Sequence, residues 1–287
     1  MDEFLYNVDW VLPFRNPSIT PVMKAITALG YTWFFFLVLP LLYWIWNKNA
    51  ATRVMTALIF SGLITFFLKD LFEDPRPPKS LWLAGESPTS YGLPSGHTLM
   101  AIVFWFTLAL EFKVQWFTRV SFLLVLLIPI SRLYLGVHDL EDILGGAVAG
   151  VFTLILFRFV LRAESLRGLT QTAILLTVIA AIVLALWPAA APPGKSIIMI
   201  GLFAGWMSGY LLDFSAPFFK PAKRWMKLPI AVAGLFLLGL VVWLLRKYLL
   251  ELHLSPLVSE IIAGIVIGFT ITALFPFLCS RLRSMRA

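Results

Sequence analysis

Three short polar stretches at the ends of apolar runs hold the residues that could do chemistry. They cover residues 69–77, 94–97 and 131–142. Together they contain two of the three histidines of the chain, one lysine and two arginines. Most residues around them are Leu, Ile, Val, Phe or Ala. Because a charge beside a membrane span is costly to keep, we interpret these side chains as functional.

The three cations in these stretches are Lys69, Arg76 and Arg132, and they suit a phosphate group. A phosphomonoester is dianionic, and its equatorial oxygens keep negative charge in the transition state. Preorganised cations at those oxygens are usually the largest source of catalysis. Arginine adds a planar fork that grips two oxygens at once. The residue types therefore indicate a phosphoryl-transfer site.

The two histidines, His97 and His138, are the candidates for a nucleophile and a proton donor to the leaving oxygen. Asp142 follows His138 by four residues, so a helix starting there would put both side chains on one face. Asp142 would then accept from one ring nitrogen and leave the other free to attack phosphorus. Ser95 and Gly96 open the next apolar run, where a serine cap and free N–H groups would favour an anion.

The same residues resemble the type 2 phosphatidic acid phosphatase superfamily. That family has Lys, six residues and Arg-Pro, then Pro-Ser-Gly-His, and finally Ser-Arg, five residues, His, three residues and Asp. This sequence matches every position, with Lys69, Arg76, Pro77, Pro94, Ser95, Gly96, His97, Ser131, Arg132, His138 and Asp142. Three spaced motifs in this order are much more specific than Pro-Ser-Gly-His alone. The resemblance spans about residues 20–160.

The resemblance implies a mechanism and a role for each site residue. His138 attacks phosphorus and becomes a phosphohistidine, His97 protonates the leaving group and later activates water, and Asp142 orients the nucleophile. No metal and no other cofactor is required. The remaining motif residues are expected to bind the phosphate, namely Lys69, Arg76, Ser95, Gly96 and Arg132.

The composition predicts an all-α, polytopic transmembrane helical bundle. Hydrophobic residues make up 60% of the chain, charged residues 13%, and the mean hydropathy is +0.89. We predict about nine spans, at residues 31–46, 51–71, 96–112, 119–137, 140–161, 169–187, 196–212, 228–246 and 257–279. The expected organisation is an N-terminal interfacial segment (1–30), a six-helix-type phosphatase core (31–162) and a C-terminal transmembrane extension (163–287).

The loop charges predict the orientation in the membrane. With nine spans, 14 of the 23 Lys and Arg residues fall on one side, and the positive-inside rule makes that side cytoplasmic. All three motifs then face the extracytoplasmic, or periplasmic, side of the inner membrane, and the C-terminus is cytoplasmic. Because membrane orientation explains the net charge of +8, we do not expect nucleic acid as a partner. We identify no cleavable signal peptide, and the single Cys279 cannot pair within the chain.

The expected activity is hydrolysis of a lipid phosphate or diphosphate within the membrane. Candidate substrates are undecaprenyl diphosphate, phosphatidate, phosphatidylglycerol phosphate and a sphingoid-base phosphate. The first span, around Leu39-Pro40, and the extra C-terminal spans are similar to the sphingosine-phosphate and glucose-6-phosphate phosphatase branches. Alternatives are a flippase or transporter that binds a phosphate head group, a lipid phosphotransferase and a vanadate-dependent haloperoxidase. Substrate and membrane lipids are the expected partners, and the sequence does not indicate an oligomeric state.

Overall fold

The computed structural model describes residues 5–83, 90–160, 166–188, 196–215 and 224–284, and these ranges contain helices and no strand. The prediction of an all-α chain is therefore confirmed. The eleven α-helices in these ranges are α1 (Thr20–Ala28), α2 (Thr32–Ile45), α3 (Lys48–Phe72), α4 (Gly96–Phe112), α5 (Gln115–Tyr134), α6 (Leu140–Val160), α7 (Leu166–Ala185), α8 (Ile197–Ser215), α9 (Lys227–Glu251), α10 (Pro256–Phe269) and α11 (Phe275–Ser284).

Each of the nine predicted apolar runs is helical over its described residues, and the helices differ in length. Six helices of the described residues have the length and composition of a span, and the last of these joins α10 to α11. Helices α1 and α2 are bent by 49° and would form a seventh span together. The apolar parts of α4 and α7 are shorter. The helical bundle is as predicted, whereas the count of nine spans stays a prediction.

The chain forms two compact units. The first comprises residues 1–35, 61–159 and 187–191, and the second comprises 36–60, 160–186 and 192–287. All three motifs belong to the first unit. The domain boundaries that we predicted at residues 30 and 162 stay predictions.

The second unit is built around the contact of α8 with α10. Glycines on both helices let the backbones approach closely, and a Cβ atom at Gly268 would lie 2.5 Å from the backbone N of Trp206. A short π-helix, Thr270–Leu274, links α10 to α11. The indole of Trp44 donates to its Ile271 carbonyl over 2.8 Å, so a buried polar group is satisfied there.

The first unit brings the three motifs together through its helix ends. Helix α3 ends just after Lys69, α4 begins after Ser95, and α5 ends just after Arg132. Gly136, at φ +72°, then turns the chain towards α6. The backbone N of Ser95 donates to the Asp142 carbonyl over 2.8 Å, which ties the start of α4 to the start of α6.

The N-terminal segment fastens the turn between α5 and α6. Val11 packs in a buried cluster with Leu133, Leu135 and their neighbours. The guanidinium of Arg15 donates to the carbonyl oxygens of Tyr134, over 3.1 Å, and Leu81, over 2.7 Å. One side chain thus links the segment that follows the first motif to the third motif.

Candidate active site

Lys69, at the end of α3, is 4% exposed. Its ammonium donates to the carbonyl oxygens of Tyr91 and Gly92, the latter over 2.6 Å. The loop that follows α3 folds back over the helix end, since the backbone N of Gly92 donates to the Asp74 carbonyl over 2.8 Å. These contacts hold the cation at the wall of the site.

Arg76 is held by the backbone on two sides. Its Nε atom donates to the Ser90 carbonyl and its Nη1 atom to the Val137 carbonyl, both over 2.7 Å. The same Nη1 atom lies 3.0 Å from Nε2 of His138. Burial lowers the pKa of Arg76 to about 10, so the guanidinium is charged near neutral pH. The first motif therefore places a fixed cation beside the proposed nucleophile.

His138 and Asp142 form a buried pair. Nδ1 of His138 lies 2.6 Å from Oδ2 of Asp142, and the two residues are 1% and 0% exposed. An Nδ1–H that donates to the carboxylate leaves the lone pair on Nε2, where Arg76 donates to it. Burial, followed by the charge of Arg76, lowers the pKa of His138 well below its usual range. The imidazole is thus neutral and nucleophilic.

Asp139 is a site residue that we did not predict. Its Oδ1 atom accepts from the backbone N of Asp142 over 2.9 Å, and its own N–H faces Oδ2 of Asp142 at 3.4 Å. This reciprocal arrangement is a capping box at the first turn of α6. The spacing Asp-x-x-Asp ahead of an apolar run was the signal for it. The cap fixes the carboxylate that orients His138.

Arg132, in the last turn of α5, is 4% exposed. Its Nη1 atom donates to the hydroxyl of Thr27 over 3.0 Å. Its guanidinium carbon lies 5.8 Å from the centre of the Tyr31 ring, which is within cation–π range. Thr27 and Tyr31 lie at the end of α1 and just after it. Nothing local in the sequence could have marked them, because both contacts join segments about a hundred residues apart.

His97 and Gly96 form the first turn of α4. Both line the site, and the His97 ring lies 4.7 Å, centre to centre, from the ring of Tyr31. Ser95 is the N-cap residue, as predicted, but its side chain is fully buried and accepts from the Thr98 hydroxyl over 3.1 Å. It makes no capping hydrogen bond. Its expected role in phosphate binding stays a prediction.

These groups surround a cavity of about 180 Å³. All three predicted cations and both predicted histidines line it. Asp142 lies behind His138 and acts on the cavity through that ring. Apolar side chains form part of the wall. The full lining is Gly30, Tyr31, Thr32, Thr65, Phe66, Lys69, Arg76, Ser90, Gly96, His97, Met100, Arg132, Val137 and His138.

Three carboxylates, Asp74, Asp139 and Asp142, lie behind the cavity with oxygens within 4.8 Å of one another. Such a group could hold a metal ion, and we did not predict this cluster from the sequence. Burial raises the pKa of Asp139 to about 6 and also raises that of Asp74, so a proton is an alternative to a metal for reducing the repulsion. Lys69 lies close enough to act electrostatically on Asp74.

The cavity has the parts that phosphoryl transfer to histidine requires. Three cationic side chains line a space large enough for a phosphoryl group, and the neutral imidazole of His138 lines it too. A second histidine stands on another wall, where it can serve a leaving oxygen. The cations would hold the charge of the transition state without rearranging at the moment of reaction.

Comparison with known proteins identifies a family for the part of the chain that holds the site. A family model described as the PAP2 superfamily matches residues 50–165. The resemblance inferred from the motifs is confirmed over that range. It contains every predicted catalytic and phosphate-binding residue, from Lys69 to Asp142. Thr27 and Tyr31, which contact Arg132 in the site, lie outside it.

Curated relatives and one solved structure match a similar part of the chain. The dihydrosphingosine 1-phosphate phosphatase of Schizosaccharomyces pombe is 32% identical over 164 residues, which are 51% of this chain and 39% of that protein. Sphingosine-1-phosphate phosphatase 2 of Mus musculus is 31% identical over 131 residues, which are 42% of this chain and 36% of that protein. The chain thus spans less than two fifths of the length of these relatives. A phosphatidylglycerolphosphate phosphatase from Bacillus subtilis aligns with a TM-score of 0.46 at 26% identity, covering 53% of this chain and 81% of that one.

Proposed function

We propose that this protein is an integral membrane phosphatase that hydrolyses a lipid phosphate or diphosphate through a phosphohistidine intermediate. The observation that carries the proposal is the arrangement of His138. Its Nδ1 atom faces Asp142, its Nε2 atom faces Arg76, and its ring lines a cavity that is also lined by Lys69, Arg76 and Arg132. Binding of a head group alone would need the cations but not an oriented nucleophile, so a flippase is the weaker candidate.

In the proposed reaction, Nε2 of His138 attacks phosphorus while the bond to the lipid oxygen breaks. His97, protonated when the anionic phosphate is bound beside it, gives its proton to that oxygen and releases the lipid alcohol, or the lipid monophosphate where the substrate is a diphosphate. The neutral His97 then takes a proton from water, and the resulting hydroxide attacks the phosphohistidine. Inorganic phosphate leaves, and both histidines return to their starting states. The three cations stabilise the charge on the equatorial oxygens in both steps. None of these steps requires a metal ion at the carboxylates of Asp74, Asp139 and Asp142.

A sphingoid-base phosphate is the first substrate to test. The support is the substrate named for the two curated relatives, both of which are phosphatases of sphingoid-base phosphates. The cavity of about 180 Å³ would enclose the phosphoryl group and the first carbons of a lipid, with the chain outside it. We further propose that the site opens on the extracytoplasmic face of the inner membrane, as the loop charges predict.

The test is release of inorganic phosphate by the purified protein in detergent micelles. The substrates are dihydrosphingosine 1-phosphate, phosphatidate, phosphatidylglycerol phosphate and undecaprenyl diphosphate. We expect the first to be hydrolysed with the highest kcat/KM. A phosphotransferase would instead move the phosphate to an added alcohol, and a flippase would release none. Binding of these lipids without phosphate release would refute the proposed function.

A further inference from the structure

The corner between α1 and α2 forms one wall of the cavity, and it packs on His97. The ring of Tyr31 meets the His97 ring edge to face, with centres 4.7 Å apart and planes at 86°. Gly30 lies against another side of the imidazole, because a Cβ atom there would be 3.1 Å from Cδ2 of His97. Two consecutive residues thus define where the His97 ring can lie.

His97 lacks the polar support that His138 has. Its Nε2 atom is buried and has no hydrogen-bond partner among the described residues. His138, in contrast, is held at Nδ1 by Asp142. A histidine that transfers a proton must be held within hydrogen-bond reach of the leaving oxygen. Packing must therefore hold the His97 ring in place, as the carboxylate of Asp142 holds the ring of His138.

Tyr31 also faces Arg132, whose guanidinium carbon lies 5.8 Å from the centre of the phenol ring. One aromatic ring therefore contacts both a phosphate-binding cation and the proposed proton donor. Loss of the contact with Arg132 would weaken phosphate binding for every substrate. Loss of the contact with His97 would affect only the substrates whose leaving group needs a proton. This difference separates the two effects by experiment.

We propose that Tyr31 is a positioning residue that holds the ring of His97 in place to protonate the leaving oxygen. The inference rests on the proposed function. In this proposal the aromatic ring of Tyr31, and not its hydroxyl, holds the imidazole of His97 at the cavity. The substitution that keeps the ring, Tyr31→Phe, should therefore be tolerated, whereas Tyr31→Leu should not.

The experiment compares kcat/KM for a lipid phosphate with kcat/KM for p-nitrophenyl phosphate, whose leaving group needs no proton. His97→Ala gives the reference signature, which is a larger loss with the lipid phosphate. We expect Tyr31→Leu to show the same signature, with the lipid rate falling at least about tenfold more than the p-nitrophenyl rate. Tyr31→Phe should keep the wild-type ratio. Equal losses for both substrates in Tyr31→Leu, or the same signature in Tyr31→Phe, would overturn the inference.

Gly30→Ala tests the same placement from the other side of the ring and serves if Tyr31→Leu does not fold. Its new methyl group would lie 3.1 Å from both Cδ2 of His97 and Cγ2 of Ile128 and would press on the imidazole, so we expect it also to lower the lipid rate more than the p-nitrophenyl rate. Unfolding midpoints close to wild type would confirm that the variants are folded.

A wild-type protein that releases phosphate from neither substrate contradicts the proposed function itself. If it is active but His97→Ala has no leaving-group signature, the acid role of His97 fails, and the role of Tyr31 fails with it.

Discussion

Nδ1 of His138 and Oδ2 of Asp142 lie 2.6 Å apart, and the carboxylate is fully buried. The contact determines which ring nitrogen carries the proton. With the hydrogen on Nδ1, the lone pair of Nε2 points towards Arg76 and the cavity. A carboxylate in this position also stabilises the positive charge that the ring acquires when Nε2 bonds to phosphorus.

Replacing His138 with alanine should abolish phosphate release. The residue lies between two helices, so its loss affects the chemistry more than the packing, and we expect a fall of at least ~1000-fold. The matched control is His253→Ala, because that histidine is exposed and lies outside the cavity lining. Phosphate release is measured at saturating lipid, with the unfolding midpoint as a check on folding. Turnover within tenfold of wild type would rule out His138 as the nucleophile.

The capping residue Asp139 should matter through its oxygen rather than its charge. Asp139→Asn keeps an acceptor for the backbone N of Asp142, so kcat should stay within a few-fold of wild type. Asp139→Ala leaves that N–H without its acceptor and lets the first turn of α6 shift. Its kcat should fall about tenfold or more, which corresponds to ~1.4 kcal/mol in the barrier. Similar kcat values for the two variants would mean that the cap does not position Asp142.

The sequence predicted the membership of the site better than its geometry. We expected His138 and Asp142 on one face of a helix, but α6 begins at Leu140, after the histidine. The side chains meet because the capping turn at Asp139 folds them together. The motif residues could be predicted because phosphate chemistry restricts their types. Tyr31 could not, because its contact with His97 depends on how distant helices pack, which local patterns do not record.

Metal dependence tests the three carboxylates behind the cavity. If protons and Lys69 reduce the repulsion among Asp74, Asp139 and Asp142, the enzyme should keep full activity in EDTA. Orthovanadate should inhibit it, since its five-coordinate form mimics phosphorus in the transition state. Activity is measured after dialysis against chelator, with and without added magnesium. Complete loss in EDTA that magnesium restores would instead assign the carboxylates to a metal ion.

The orientation in the membrane can be read from cysteine labelling in a Cys279→Ser background. Ser80 and Ser215 are both exposed, and Ser→Cys is a small change at either position. In sealed right-side-out vesicles, an impermeant thiol reagent should label Ser80→Cys at once and Ser215→Cys only after permeabilisation. This follows from the excess of basic residues in the loops that we assign to the cytoplasm. The reverse pattern would move the active site to the cytoplasmic face.

The contact between Arg76 and His138 predicts a pH dependence that chemical modification can measure. Diethylpyrocarbonate acylates neutral imidazole, and mass spectrometry of the peptide that contains His138 gives the rate. Burial and the charge of Arg76 lower the pKa of this histidine. In wild type the rate should therefore stay level as the pH falls through the usual histidine range. In Arg76→Ala the pKa of His138 moves back up, so protonation slows the reaction at a higher pH than in wild type.

Near neutral pH the Arg76→Ala variant should react faster than wild type, because Nη1 of Arg76 no longer covers Nε2 of His138. The exposed Arg119→Ala is the matched control and should keep the wild-type profile. Identical profiles for Arg76→Ala and wild type would show that Arg76 neither covers the nucleophile nor holds down its pKa.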